Sequence, residues 1–275
     1  MPFLKLEGQE TLSLYFEDYG AGKPVVLIHG WPLSHRMWEP QVPALVSAGY
    51  RVISYDRRGF GDSDKPWNGY DYDTFAADLN ALLTTLELRD VTLVGFSMGG
   101  GEVARYLGRY GSERVAKAIL AGAVTPFLLK TDDNPGGVDK GVFDGFIESI
   151  EKDRLEFLDG FTKMFFNRDQ GERAVSDAAI AYNLQIAAFA SPRGTTECVR
   201  AFGMTDFRAD MKAFNVPTLF LHGDADQIVP LEVSGQRAHE LVPGSRLEVI
   251  PGAPHGFNAT HAGEFNRLLL EFMGS

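Results

Sequence analysis

The sequence predicts an α/β fold: a mainly parallel central sheet, helices on both of its faces, and a helical insertion between its later strands. Two observations carry this. Short, nearly continuous apolar runs alternate with segments whose apolar positions recur every three to four residues, the pattern of strands buried on both faces between covering helices. That alternation lapses between about Val124 and Phe214, where aromatic residues are dense and strand signals weak. The core is therefore expected at residues 1–123 and 215–275, with 124–214 as a helical insertion. A length of 275 residues agrees, since about 150 residues per domain leaves room for one large domain carrying an insertion.

Taken in order, strands are expected at Leu12 to Phe16, Val25 to His29, Val52 to Tyr55, Val91 to Gly95 and Val115 to Gly122. After the insertion they resume at Thr218 to His222 and Arg246 to Ile250. Helical spacing marks Tyr72 to Leu86, Gly99 to Gly108, Ser234 to Leu241 and His261 to Phe272. Within the insertion, Thr131 to Gly137 is a loop by composition. Inspection shows no internal repeat and no biased linker.

Composition excludes several classes. There are 26 Lys and Arg against 37 Asp and Glu, for a net charge of −11, with no basic run beyond Arg57-Arg58, so no phosphate-tracking surface and no nucleic-acid partner are expected. Cys198 is the single cysteine; it can form no internal disulfide or metal-binding pair, which points to a reducing compartment. Residues Met1 to Gly8 lack a basic segment followed by an apolar core, which leaves the cytoplasm as the expected location. The most apolar stretch, Ala178 to Ala190, is broken by Asn183 and Gln185, so no membrane span is expected.

Gly95-Phe96-Ser97-Met98-Gly99 matches G-x-S-x-G, a pattern that 30 glycines and 13 serines would produce by chance roughly 0.15 times. Its context is more specific than the pattern. The apolar run Val91 to Val94 precedes it and a helix-like segment from Gly100 to Leu107 follows, which is the strand, sharp turn and helix of a nucleophile elbow. A serine hydroxyl needs a base, and that base needs a carboxylate to fix its tautomer. His255 follows the last strand in a short loop and so reaches the sheet edge of Ser97. His29 and His222 end apolar strands and read as structural; His35, His239 and His261 read as solvated. Two carboxylates follow the strand at Thr218. Asp224 sits in the immediate turn, where bonding to its own backbone is the common role, so Asp226 is assigned to His255. A metal reading of His222, Asp224 and Asp226 lacks a second histidine pair, and no metal is expected. An oxyanion needs two backbone donors, one after the nucleophile and one after an early strand, which nominates Met98 and Trp31; Pro32 has no N–H.

His29-Gly30-Trp31-Pro32, Tyr55 through Ser63, Gly95 through Tyr106, His222 through Pro230 and Pro254-His255-Gly256 together resemble the arylesterase and cofactor-free haloperoxidase (perhydrolase) branch of the α/β-hydrolase superfamily, over essentially the whole chain. The resemblance implies a triad of Ser97, Asp226 and His255 and an oxyanion hole from Trp31 and Met98. It implies a helical cap, and an acyl pocket with Pro32, Phe127, Phe146, Phe161, Phe165, Phe202 and Ile228 as candidates. Expected partners are a small ester or acyl donor and hydrogen peroxide as a second acyl acceptor, with no heme, flavin or vanadium cofactor and assembly as a homo-oligomer. Members with Pro after the oxyanion-hole Trp tend to favour peroxide, and Pro32 fits them. Haloalkane dehalogenases and epoxide hydrolases share the layout but place Asp at the elbow. Lactamase or amidase chemistry on the same triad, and a binding protein that has abandoned catalysis, are the rival readings.

Overall fold

In the computed structural model, which describes residues 3–6, 11–169 and 175–274, the chain opens with an antiparallel pair, β1 (Phe3–Leu6) and β2 (Leu12–Tyr19). Met1, Pro2, Glu7 and Gly8 of the amino-terminal segment lie outside the described residues. Next come β3 (Pro24–Ile28), α1 (Val42–Ser47), β4 (Arg51–Tyr55), α2 (Tyr72–Thr85), β5 (Val91–Phe96), α3 (Met98–Tyr110) and β6 (Val115–Ala121). Among the described residues five helices then intervene before the sheet resumes: α4 (Lys140–Lys152), α5 (Arg154–Phe165), α6 (Asp177–Ala188), α7 (Pro192–Met204) and α8 (Arg208–Met211). The chain closes with β7 (Thr218–Gly223), α9 (Gly235–Leu241), β8 (Arg246–Ile250), α10 (Phe257–Thr260) and α11 (Ala262–Gly274). Among the described residues no helix is long and apolar enough to cross a membrane.

The strands form one eight-stranded sheet in the order β1-β2-β4-β3-β5-β6-β7-β8. Every pair from β4 to β8 is parallel, and only the β1–β2 and β2–β4 pairs are antiparallel. β5 and β7 are buried along their whole length, as strands covered on both faces must be, which is why they are apolar without alternation. Parallel order sends the carboxyl ends of β3, β5, β7 and β8 to one edge, where ligand sites form in such sheets.

Local signals set the helix boundaries. Asp71 caps α2 by accepting from the Thr74 amide at 2.9 Å, and Ser191 caps α7 ahead of Pro192, which needs no N–H partner in the first turn. The intervening helices pack on one another, α4 against α7 and α5 against α6. Their aromatic residues reach the core: Phe161 and Phe202 meet Trp31 edge-on, with ring centroids 5.0 and 5.5 Å away.

Candidate active site

The turn between β5 and α3 places Ser97 at φ +54 and ψ −117, a backbone state that side-chain-bearing residues rarely occupy. Two glycines make it possible. A Cβ on Gly95 would meet the Gly99 carbonyl oxygen at 2.4 Å, and one on Gly99 would meet the Ile28 carbonyl oxygen at 2.4 Å. The Ser97 amide donates to the Ala121 carbonyl at 2.8 Å, and the Ser97 carbonyl accepts from Gly100 at 3.0 Å, so the strained residue is held from both sides.

The loops after β7 and β8 bring two further side chains to the same edge. Asp226 Oδ1 accepts the amides of Ile228 (2.9 Å) and Val229 (2.8 Å), which aims Oδ2 at His255, whose Nδ1–H donates to it at 2.6 Å. That bond fixes the tautomer, leaving Nε2 to accept from the Ser97 hydroxyl at 2.9 Å. Burial alone would raise the Asp226 carboxyl, but the charge and hydrogen bonds of His255 and His222 outweigh it and hold the carboxyl well below the usual range. Asp224 does something other than close its own turn: its Oδ1 accepts the Gly252 amide at 2.6 Å, tying the Asp226 loop to the His255 loop.

Met98 opens α3, where helical geometry supplies no carbonyl for its amide. Trp31 follows β3 on a loop that lies against the elbow, since a Cβ on Gly30 would fall 3.2 Å from Ser97 Cβ. The Trp31 indole N–H donates to the Thr195 carbonyl on α7 at 3.0 Å.

A narrow chamber with about 50 Å³ of free space opens beside Ser97, and the rest of its wall is apolar. Of the pocket candidates, the structure brings Phe146, Phe161, Phe202 and Ile228 to that wall. Pro32, Phe127 and Phe165 are placed around this chamber without lining its free space. The Arg208 guanidinium lies 5.1 Å from the centre of the Phe127 ring, and Phe165 stands edge-on to the imidazole of His255 at 5.2 Å. Pro32, joined to Trp31 through a cis peptide, is buried but outside the lining. Val124, Leu128, Val138, Val142, Phe143 and Val229 complete the wall and were not foreseen. Val142, Phe143 and Phe146 do recur at helical spacing on α4, a signal that could have found them, whereas Val138 precedes that helix in a bridge to Leu129.

The remaining histidines divide. His29 donates from Nδ1 to the Gly30 carbonyl (2.8 Å) and accepts the Arg57 amide at Nε2 (3.0 Å), and His222 donates to the Val229 carbonyl at 2.7 Å. His35 is not solvated: it is buried, with Nδ1–H donating to Asp56 at 2.8 Å, because Asp56 also takes the His35 amide and draws the side chain inward.

A serine, an oriented imidazole and a buried carboxylate at the carboxyl edge of such a sheet define a hydrolase-type site. The chain belongs to the α/β-hydrolase fold family, whose model matches residues 23–262, and it is an enzyme of that family. It is 44% identical to a non-heme chloroperoxidase of Kitasatospora aureofaciens over 96% of this chain and 97% of that one. A bifunctional esterase/perhydrolase of Acinetobacter calcoaceticus is 37% identical over 97% and 98% of the two chains. Among solved structures, a bromoperoxidase from Bacillus anthracis superposes with a TM-score of 0.96 at 56% identity, covering 99% of this chain and 100% of that one.

Proposed function

We propose that the enzyme cleaves small carboxylic esters through an acyl-Ser97 intermediate and passes the acyl group to water or to hydrogen peroxide. The observation that carries this is the unbroken line from Asp226 through His255 to Ser97 at the mouth of an apolar chamber. His255 Nε2 takes the Ser97 proton as Oγ bonds to the ester carbonyl carbon. The Trp31 and Met98 amides hold the oxyanion, and His255 returns the proton to the leaving alcohol as the ester C–O bond breaks. Water, deprotonated by the same imidazole, releases the acid; hydrogen peroxide in its place releases a peracid, which oxidises halide away from the protein. An apolar wall, with no cation among its described residues, suits a small uncharged acyl group, and aryl esters supply a good leaving alcohol.

Relatives named for esterase, perhydrolase and chloroperoxidase activities support both acceptors. The test is p-nitrophenyl acetate hydrolysis with and without hydrogen peroxide and a peracid trap, comparing the wild type with Ser97→Ala. Loss of both products in the variant is expected; undiminished hydrolysis would overturn the serine assignment. Pro32→Leu tests the peroxide branch, with a fall in the ratio of peracid to acid expected. We also propose a homo-oligomer, which sedimentation of the full chain would check.

A further inference from the structure

A fully buried ion pair lies beneath the site and takes part in none of the steps above. Arg57 stands two residues beyond β4 and Glu102 lies one turn along α3 from Met98, with side chains 1% and 0% exposed. The Arg57 Nε–H and Nη2–H groups donate to Glu102 Oε2 at 2.8 and 2.7 Å, and the Tyr55 hydroxyl donates to Oε1. In the other direction Arg57 grips the chain just before Trp31. Its Nη2 donates to the His29 carbonyl at 3.0 Å and its amide to His29 Nε2 at 3.0 Å, while His29 Nδ1 holds the Gly30 carbonyl at 2.8 Å.

We propose that the Arg57–Glu102 pair positions the oxyanion hole, by fixing the loop that carries the Trp31 amide against the helix that carries the Met98 amide. The inference builds on the acyl-serine reading. Two arguments support it. A buried ion pair loses much of its attraction to desolvation and is a poor source of stability compared with apolar side chains of the same size, so its geometry is the more economical reason for its presence. The planar guanidinium fork fixes direction as well as distance, and donors must lie about 2.7–3.1 Å from the developing oxyanion to stabilise it. Neither residue lines the chamber, so both act through the backbone they hold and neither touches the substrate.

Glu102→Gln keeps the shape of the side chain and replaces one of its two accepting oxygens with an NH₂ group that cannot accept from Arg57 or Tyr55. On p-nitrophenyl acetate we expect kcat to fall roughly 10- to 100-fold with KM changed less than about 2-fold, a displaced donor costing less than the roughly 100- to 1000-fold of a donor removed outright. Affinity for phenylboronic acid, which forms a tetrahedral adduct on the serine, should fall in parallel. Arg57→Lys, which keeps the charge but loses the fork, should reproduce much of the loss. A folded Glu102→Gln enzyme with wild-type kcat and boronate affinity overturns the proposal, as does a change confined to KM. Should that variant not fold, Tyr55→Phe decides: a loss of roughly 3- to 10-fold in kcat alone supports positioning, and unchanged kcat refutes it. Ser97→Ala runs alongside. Activity surviving there would overturn the acyl-serine reading itself, whereas an inactive Ser97→Ala beside a fully active Glu102→Gln overturns only the role of the pair.

Discussion

Replacing Asp226 with Asn tests the site at the point where geometry makes the outcome most definite. Oδ1 is held by the amides of Ile228 and Val229, so the asparagine carbonyl takes that position and its NH₂ group falls where Oδ2 was, 2.6 Å from His255 Nδ1. Two donors then face each other. His222 offers no relief: its Nε2 lies 3.4 Å from the same Oδ2 and already donates to the Val229 carbonyl. The imidazole must shift its proton to Nε2, which becomes a donor 2.9 Å from Ser97 Oγ and can no longer accept the hydroxyl proton. Loss of the correct tautomer costs about 10⁴-fold in turnover, or about 5.4 kcal/mol of transition-state stabilisation. Steady-state kinetics on p-nitrophenyl acetate, with circular dichroism to confirm folding, measures it directly. A folded variant within tenfold of the wild-type kcat/KM would refute the reasoning, and so would a ¹⁵N spectrum showing the His255 proton still on Nδ1.

Three further outcomes follow from single contacts. Burial, then the Arg57 charge, lowers His29 to about 3 from its ordinary 6.5, and protonation would break its bond from the Arg57 amide. The unfolded chain thus binds a proton that the folded one refuses. This leaves stability intact above about pH 6.5 and costs roughly 5 kcal/mol over the whole window below it; urea midpoints should fall less steeply with acid in His29→Asn. Gly95→Ala would drive a Cβ to 2.4 Å from the Gly99 carbonyl oxygen, backbone that cannot yield, so at least about 2 kcal/mol of lost stability is expected in urea titration. Phe143→Ala removes a ring from the chamber wall and should shift kcat/KM toward longer acyl chains by roughly 10-fold; an unchanged chain-length profile would show that the ring does not bound the acyl group.

The central strands were legible because burial on both faces leaves a plain apolar run, as in Val91 to Val94. β1 went unread: four residues at the sheet edge, half of them exposed, carry too little pattern to stand out from a loop. The six-residue α1 was missed for the same reason. Ser97, Asp226 and His255 could be named because each sits just past a recognisable strand, so strand order alone brings them to one edge. His35 could not be judged this way, since its burial depends on Asp56, 21 residues further along. The pocket was harder still. Phe161 and Phe165 stand one turn apart on α5, yet one lines the chamber and the other meets the His255 ring edge-on, a distinction set by how α5 packs against α4 and α6.

Docking of α7 has a mechanical consequence. The Trp31 indole donates to Thr195 on that helix and its ring is clasped by Phe161 and Phe202 from the same layer. Any outward swing of α7 must therefore either rupture that bond or drag Trp31 away from Ser97. Trp31 is thus a joint between the inserted helices and the loop beside Ser97, and the position of each limits that of the other.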